Sequence, residues 1–173
     1  MWFENIPDER LFNLAQFEQA AAGGTPPLKF SKQLLQDARA CLHDLFVQGR
    51  RIDEVLYKHT WFIDQILSGT WRCFISEPGV TLVAVGGYGR GDLLPASDID
   101  LMILTQPRIN AGLRSQIERF LTYLWDMGLH VGHSVRTVRQ CVTEAKADVT
   151  VVTNLIEARH VCGDQRLFDD MVR

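Results

Sequence analysis

No apolar run in this chain approaches the roughly 18 residues that a membrane-spanning helix requires. The opening Met1-Trp2-Phe3-Glu4-Asn5-Ile6-Pro7 lacks a basic start followed by an apolar signal core. Both absences predict a cytoplasmic protein with no membrane partner. Basic charge is also short: 18 Lys and Arg against 21 Asp and Glu leave a formal net charge of −3, so the surface as a whole offers nucleic acid no attraction. Cysteine is sparse, and Cys41, Cys73, Cys141 and Cys162 lie too far apart to match a zinc pattern, which suits a reducing compartment and unpaired thiols. There is no internal repeat and no low-complexity tract. What is present is 173 residues with 46% hydrophobic content, enough to bury one sizeable core.

Most of the functional information sits between Leu82 and Leu104. The apolar run Val80 to Val85 has the length and β-branched content of a buried strand, and Gly86, Gly87, Gly89 and Gly91 break it abruptly. A second strand begins at Ile99 and runs to Leu104, with Asp98 and Asp100 two residues apart. Residues i and i+2 of a strand face the same way at about 3.3 Å per residue, so the two carboxylates stand roughly 7 Å apart at the backbone and can converge on one cation. Like charges on an apolar strand resist desolvation, and proton uptake or a bound cation would relieve them. Mg²⁺ takes oxygen ligands, often one or two carboxylates completed by phosphate oxygens and water, and Mn²⁺ accepts a similar set. Backbone without Cβ atoms lets amide groups approach a phosphate, and Arg90 adds a donor fork suited to phosphate oxygens. Taken singly, the glycines also fit a plain chain reversal and Asp98 a turn cap.

Rival glycine motifs fail on the residues. A dinucleotide fingerprint needs G-x-G-x-x-G, and reading from Gly87 puts Asp92 where the third glycine belongs. No Gly-Lys-Ser/Thr occurs, which excludes the phosphate-binding loop of the P-loop enzymes. Leu101 and Met102 exclude a calcium loop after Asp98.

Gly86-Gly87, some ten residues, then Asp98-Ile99-Asp100 resembles the signature of the nucleotidyltransferase superfamily with the DNA polymerase β-like core. The longer string Val85-Gly86-Gly87-Tyr88-Gly89-Arg90-Gly91-Asp92-Leu93, then Pro95 and Ser97-Asp98-Ile99-Asp100-Leu101, is similar to the PII-protein uridylyltransferase/uridylyl-removing family. Val131 to Thr137, Thr153 to Arg159 and Gly163-Asp164 resemble later blocks of that family. The resemblance implies an α/β (α+β) fold: a polymerase β-like core with a mixed sheet flanked by helices, preceded by a helical lead-in. It also implies a metal-dependent enzyme that transfers UMP from UTP to a tyrosine of the PII signalling protein. By position, Asp98 and Asp100 would be the catalytic and metal-holding acids. Gly86, Gly87, Gly89, Arg90 and Ser97 would bind the nucleotide, and Mg²⁺ (or Mn²⁺) would be the cofactor. The family's HD and ACT domains are absent from this chain and would follow residue 173.

Many superfamily members carry a third carboxylate on the next central strand, but the candidate strand Leu129 to Arg136 contains none. Asp148 is the candidate offered in its place, with a helix N-cap as the competing reading. Two further functions stay open: transfer of AMP or another nucleotide to a different acceptor, and nucleotide binding without turnover.

Punctuation organises the rest into a helical lead-in, 1–78, and a core, 79–173. Helices are predicted over Asp8 to Ala22, Leu28 to Gln48 with Ser31 as a possible N-cap, and Ile52 to Trp71. A further helix is expected from Ala111 to Met127, with Leu113, Ile117, Phe120, Leu121, Leu124 and Trp125 on its buried side and Gly128 as its stop. Two more are expected near Val138 to Ala147 and Asp148 to Arg159.

Overall fold

The computed structural model of the chain describes residues 8–95 and 97–173. The opening seven residues of the lead-in and Ala96 of the motif loop lie outside them. Four strands form one mixed sheet: β1 (Val80–Ala84), β2 (Ile99–Thr105), β3 (Val131–Thr137) and β4 (Arg159–Gly163), in the order β3-β2-β1-β4. β1 runs antiparallel to β2 and β4, while β2 and β3 are parallel. Every residue of β1 is buried, as its unbroken apolar pattern requires of a strand covered on both faces.

Alternation divides the sheet's side chains between two helical layers. Leu82, Ala84, Leu101 and Ile103 point into the main core with Leu35 and Leu42 of α2 (Leu28–Val47). Phe62, Ile63, Ile66 and Leu67 of α3 (Ile52–Phe74) and Phe120 and Leu124 of α5 (Ala111–Met127) complete that core. Val83, Met102 and Leu104 face the other way, into a smaller core with Cys141 of α6 (Val138–Ala147), Leu155 of α7 (Val149–Ile156) and Leu167 and Phe168 of α8 (Gln165–Val172). α5 makes the crossover between the parallel strands β2 and β3. α2 and α3 therefore share one core with the sheet. The short α1 (Leu14–Ala20) packs on α3 through Phe17, whose ring fills the space over Gly69.

Local chemistry explains most boundaries. α5 begins at Asn110, whose side chain accepts from the Leu113 amide, and ends at Gly128 in the left-handed region, φ +98°. α6 begins with a capping box between Thr137 and Gln140. Other expectations are corrected. Ser31 is not an N-cap: Pro27 takes that place, and Ser31 lies on the buried face of α2 with its hydroxyl 2.7 Å from the Tyr123 hydroxyl. Trp125 is 47% exposed, at the edge of the α5 stripe, where its indole N–H donates to the Val131 carbonyl. The last expected helix stops at Ile156, and Arg159 opens β4 instead.

Candidate active site

The glycine segment is a helix. β1 leads through Val85 into α4 (Gly86–Arg90), which ends at Gly91 with φ +84°. Gly86 sits at φ +58°, a left-handed conformation that lets the chain turn from strand into helix within one residue. The loop from 91 onward then returns to Asp98, and β2 runs back beside β1. This hairpin places the start of α4 next to the start of β2: a Cβ on Gly86 would lie 3.5 Å from Asp100 Oδ2 and 3.8 Å from Asn154 Oδ1 of α7.

Gly87, Tyr88, Asp92, Ser97, Asp98 and Asp100 wall an open cleft of about 430 Å³ at this corner. Asp98 and Asp100 thus come together with the first glycines and Ser97. Asp100 is the one exposed residue of an otherwise buried strand, so the strand's apolar flanks do not enclose it as the sequence pattern suggests. Even so, partial burial and then the neighbouring Asp98 charge raise its carboxyl above the ordinary range. An added cation would relieve that repulsion. The donor set, two carboxylates open to a cleft, suits a hard divalent ion whose other ligands come from phosphate or water.

The remaining candidates are placed differently. A Cβ on Gly89 would meet the Glu157 carbonyl at 2.3 Å and the Ala84 carbonyl at 3.0 Å, so that glycine permits close packing of α4 against the end of α7. Arg90 pairs with Glu157 at 2.7 Å and Asp92 at 3.3 Å, so its charge is already matched by two carboxylates. Asp148 caps α7 by accepting from the Thr150 amide at 2.8 Å. It is not gathered with Asp98 and Asp100: among the described residues no group of three or more His, Cys, Asp or Glu side chains is arranged to hold a metal ion.

Two residues went unseen in the sequence. Asp92 brings another carboxylate to the cleft wall, and its position in the motif string just before Leu93 was the available signal. Asn154 reaches Gly86 from a helix distant in sequence, which no local pattern discloses. Asp98 and Ser97 also border a second cavity of about 310 Å³, on the α2 and α3 side, walled by Leu35, Phe62, His59 and His130.

A glycine helix abutting two carboxylates at the start of a strand, at the end of a mixed sheet, is the arrangement of a nucleotidyltransferase. The family model described as Nucleotidyltransferase domain matches residues 68–154, from the end of α3 to Asn154, and the chain belongs to that family. More particularly, it is similar to the bifunctional uridylyltransferase/uridylyl-removing enzyme of Stutzerimonas stutzeri (strain A1501), with 45% identity over 168 residues, 96% of this chain and 19% of that protein. The enzyme of the same name from Pseudomonas fluorescens (strain SBW25) is 45% identical over 167 residues, covering 95% of this chain and 19% of its own length. That of Pseudomonas aeruginosa (strain UCBPP-PA14) is 44% identical over 168 residues, again 96% and 19%. The chain spans about a fifth of the length of these curated relatives. No helix among the described residues is long and apolar enough to cross a membrane.

Proposed function

We propose that this module transfers UMP from UTP to a tyrosine hydroxyl of a PII-type signalling protein and releases pyrophosphate. The observation that carries the reading is the joint placement of Asp98, Asp100 and Gly87 on one cleft. Asp98 and Asp100 would hold Mg²⁺ or Mn²⁺, which when bound supplies charge neutralisation on the phosphate oxygens.

The chain's own residues account for the rest. The first amides of α4 have no intrahelical acceptor and no side chain caps them, and Gly86 and Gly87 put no Cβ between that backbone and a triphosphate. Ser97 sets a hydroxyl at the cleft wall as a donor to a phosphate oxygen. In-line displacement needs the acceptor opposite the leaving pyrophosphate. The second cavity shares Ser97 and Asp98 with the cleft and would receive the acceptor's aromatic side chain. The tyrosine oxygen forms a bond to the α-phosphorus, the bond to the bridging oxygen breaks, and the phenolic proton leaves to solvent.

The test is to incubate the chain with a PII protein, UTP and Mg²⁺ and measure intact mass. The expected result is one uridylyl group on a tyrosine of each PII subunit, absent when ATP replaces UTP. Modification by ATP in preference would move the reading to adenylyl transfer. A second reading, nucleotide binding without turnover, draws on the lack of a three-acid group among the described residues. Tight Mg²⁺-UTP binding with no adduct would favour it.

A further inference from the structure

α4 cannot hold its own shape. Gly86, Gly87 and Gly89 each disfavour helix relative to alanine, and five residues are too few to persist alone. Gly86, its first residue, and Gly91, just beyond its end, both have a left-handed backbone. Arg90 lies half exposed, which leaves Tyr88 as the side chain by which the core can grip this segment. Tyr88 is 1% exposed.

The grip comes from α3. The Tyr88 hydroxyl donates to Asp64 Oδ1 at 2.5 Å. Arg159, the first residue of β4, donates from Nη1 to Asp64 Oδ2 at 2.8 Å and from Nη2 to Oδ1 at 3.1 Å. Its guanidinium also lies 5.3 Å from the centre of the Tyr88 ring. Burial, then the Asp64 charge, pushes the Tyr88 hydroxyl well above its ordinary value, so it keeps its proton and donates. The preceding turn of α3 holds the following loop: the Thr60 hydroxyl donates to the Gly91 carbonyl at 2.9 Å, and His59 Nδ1 donates to the Leu93 carbonyl at 2.9 Å.

We propose that Asp64 is a positioning residue, which through Tyr88 and Arg159 sets the glycine helix in the alignment a triphosphate requires, with Thr60 and His59 extending that alignment into the loop. Asp64 does not line the cleft and acts on it through Tyr88, directly and by way of Arg159, whose Nη2 also donates to the Tyr88 carbonyl at 3.4 Å. The inference rests on the reading of the cleft as a nucleotide site.

Tyr88→Phe and Asp64→Asn test it by two readouts, amide hydrogen exchange over residues 87–92 and the dissociation constant of Mg²⁺-UTP. A lost hydrogen bond to a charged group predicts exchange faster by roughly tenfold and UTP bound roughly tenfold more weakly. Where turnover is measurable, the KM for UTP rises while the KM for the acceptor stays. The double variant is no worse than the poorer single one, because both break one network. Ile117→Val, in the core on α5, serves as a variant destabilised elsewhere, with neither readout changed. Unchanged exchange in both clamp variants overturns the proposal, and so does faster exchange with unchanged UTP affinity. If the parent protein binds no UTP, the nucleotide reading fails by itself, and exchange alone decides whether Asp64 holds the helix.

Discussion

Asp100 on β2 and Gly132 on β3 are register partners across the parallel pair, and a Cβ on Gly132 would come within 2.8 Å of Asp100 Oδ1. The carboxylate occupies the space that a side chain would take. Gly132→Ala should therefore displace the end of Asp100, a short swing into open cleft that barely disturbs folding. We expect stability within about 1 kcal/mol of the parent and transfer activity at least roughly tenfold lower, since a small misplacement of a reacting group is costly. Parallel denaturation and initial-rate measurements check it; equal activity would mean that Asp100 need not hold its observed place.

Replacing Asp98 or Asp100 by Asn removes one of two like charges that repel each other. Turnover should fall by several orders of magnitude, while melting temperature at neutral pH holds or rises slightly. Calorimetric melting beside a radiolabelled UTP assay measures both. A variant that melts lower and retains turnover would assign these acids to structure.

Arg90 serves phosphate only if it leaves Glu157 and Asp92. In that case Glu157→Gln, which releases Arg90 from the shorter of its two ion pairs, should tighten Mg²⁺-UTP binding, and Arg90→Ala should weaken it. Titration calorimetry on the two variants distinguishes this from a structural pair, for which neither change alters affinity.

Asp8 provides the pH dependence. Hydrogen bonds from Arg10, opposed by burial and aided by Lys58, hold its carboxyl well below the usual carboxylate range. A carboxyl depressed in the folded state adds stability above its unfolded pKa, near 4, and that contribution is lost as pH falls toward the folded value. Asp8→Asn should melt a few degrees below the parent at pH 7, with the gap closing below about pH 4. A gap independent of pH would mean that the ion pairs contribute nothing.

Strong periodicity and strong punctuation made much of this fold legible. α5 runs from Ala111 to Met127 with Gly128 as its stop, as its stripe and glycine require. β1 and β2 follow from their apolar runs, and Asp98 with Asp100 stood out because acids interrupt an apolar pattern there. β4 was not legible: Arg159 to Gly163 is half-buried along most of its length, lies at a sheet edge, and shows neither alternation nor an apolar run. α4 read as a turn because three glycines oppose helix formation, and only tertiary contacts through Tyr88 and Gly89 overcome that. Gly89 shows the limit of motif reading, because glycine in a phosphate-like string can equally serve close packing against Glu157.

The most direct test of the account is a crystal soaked with Mn²⁺ and a non-hydrolysable UTP analogue, examined by anomalous diffraction. The account predicts a manganese peak within coordinating distance of both Asp98 and Asp100, with the triphosphate along Gly86 and Gly87. A triphosphate bound elsewhere, or manganese that ignores those two carboxylates, would contradict it.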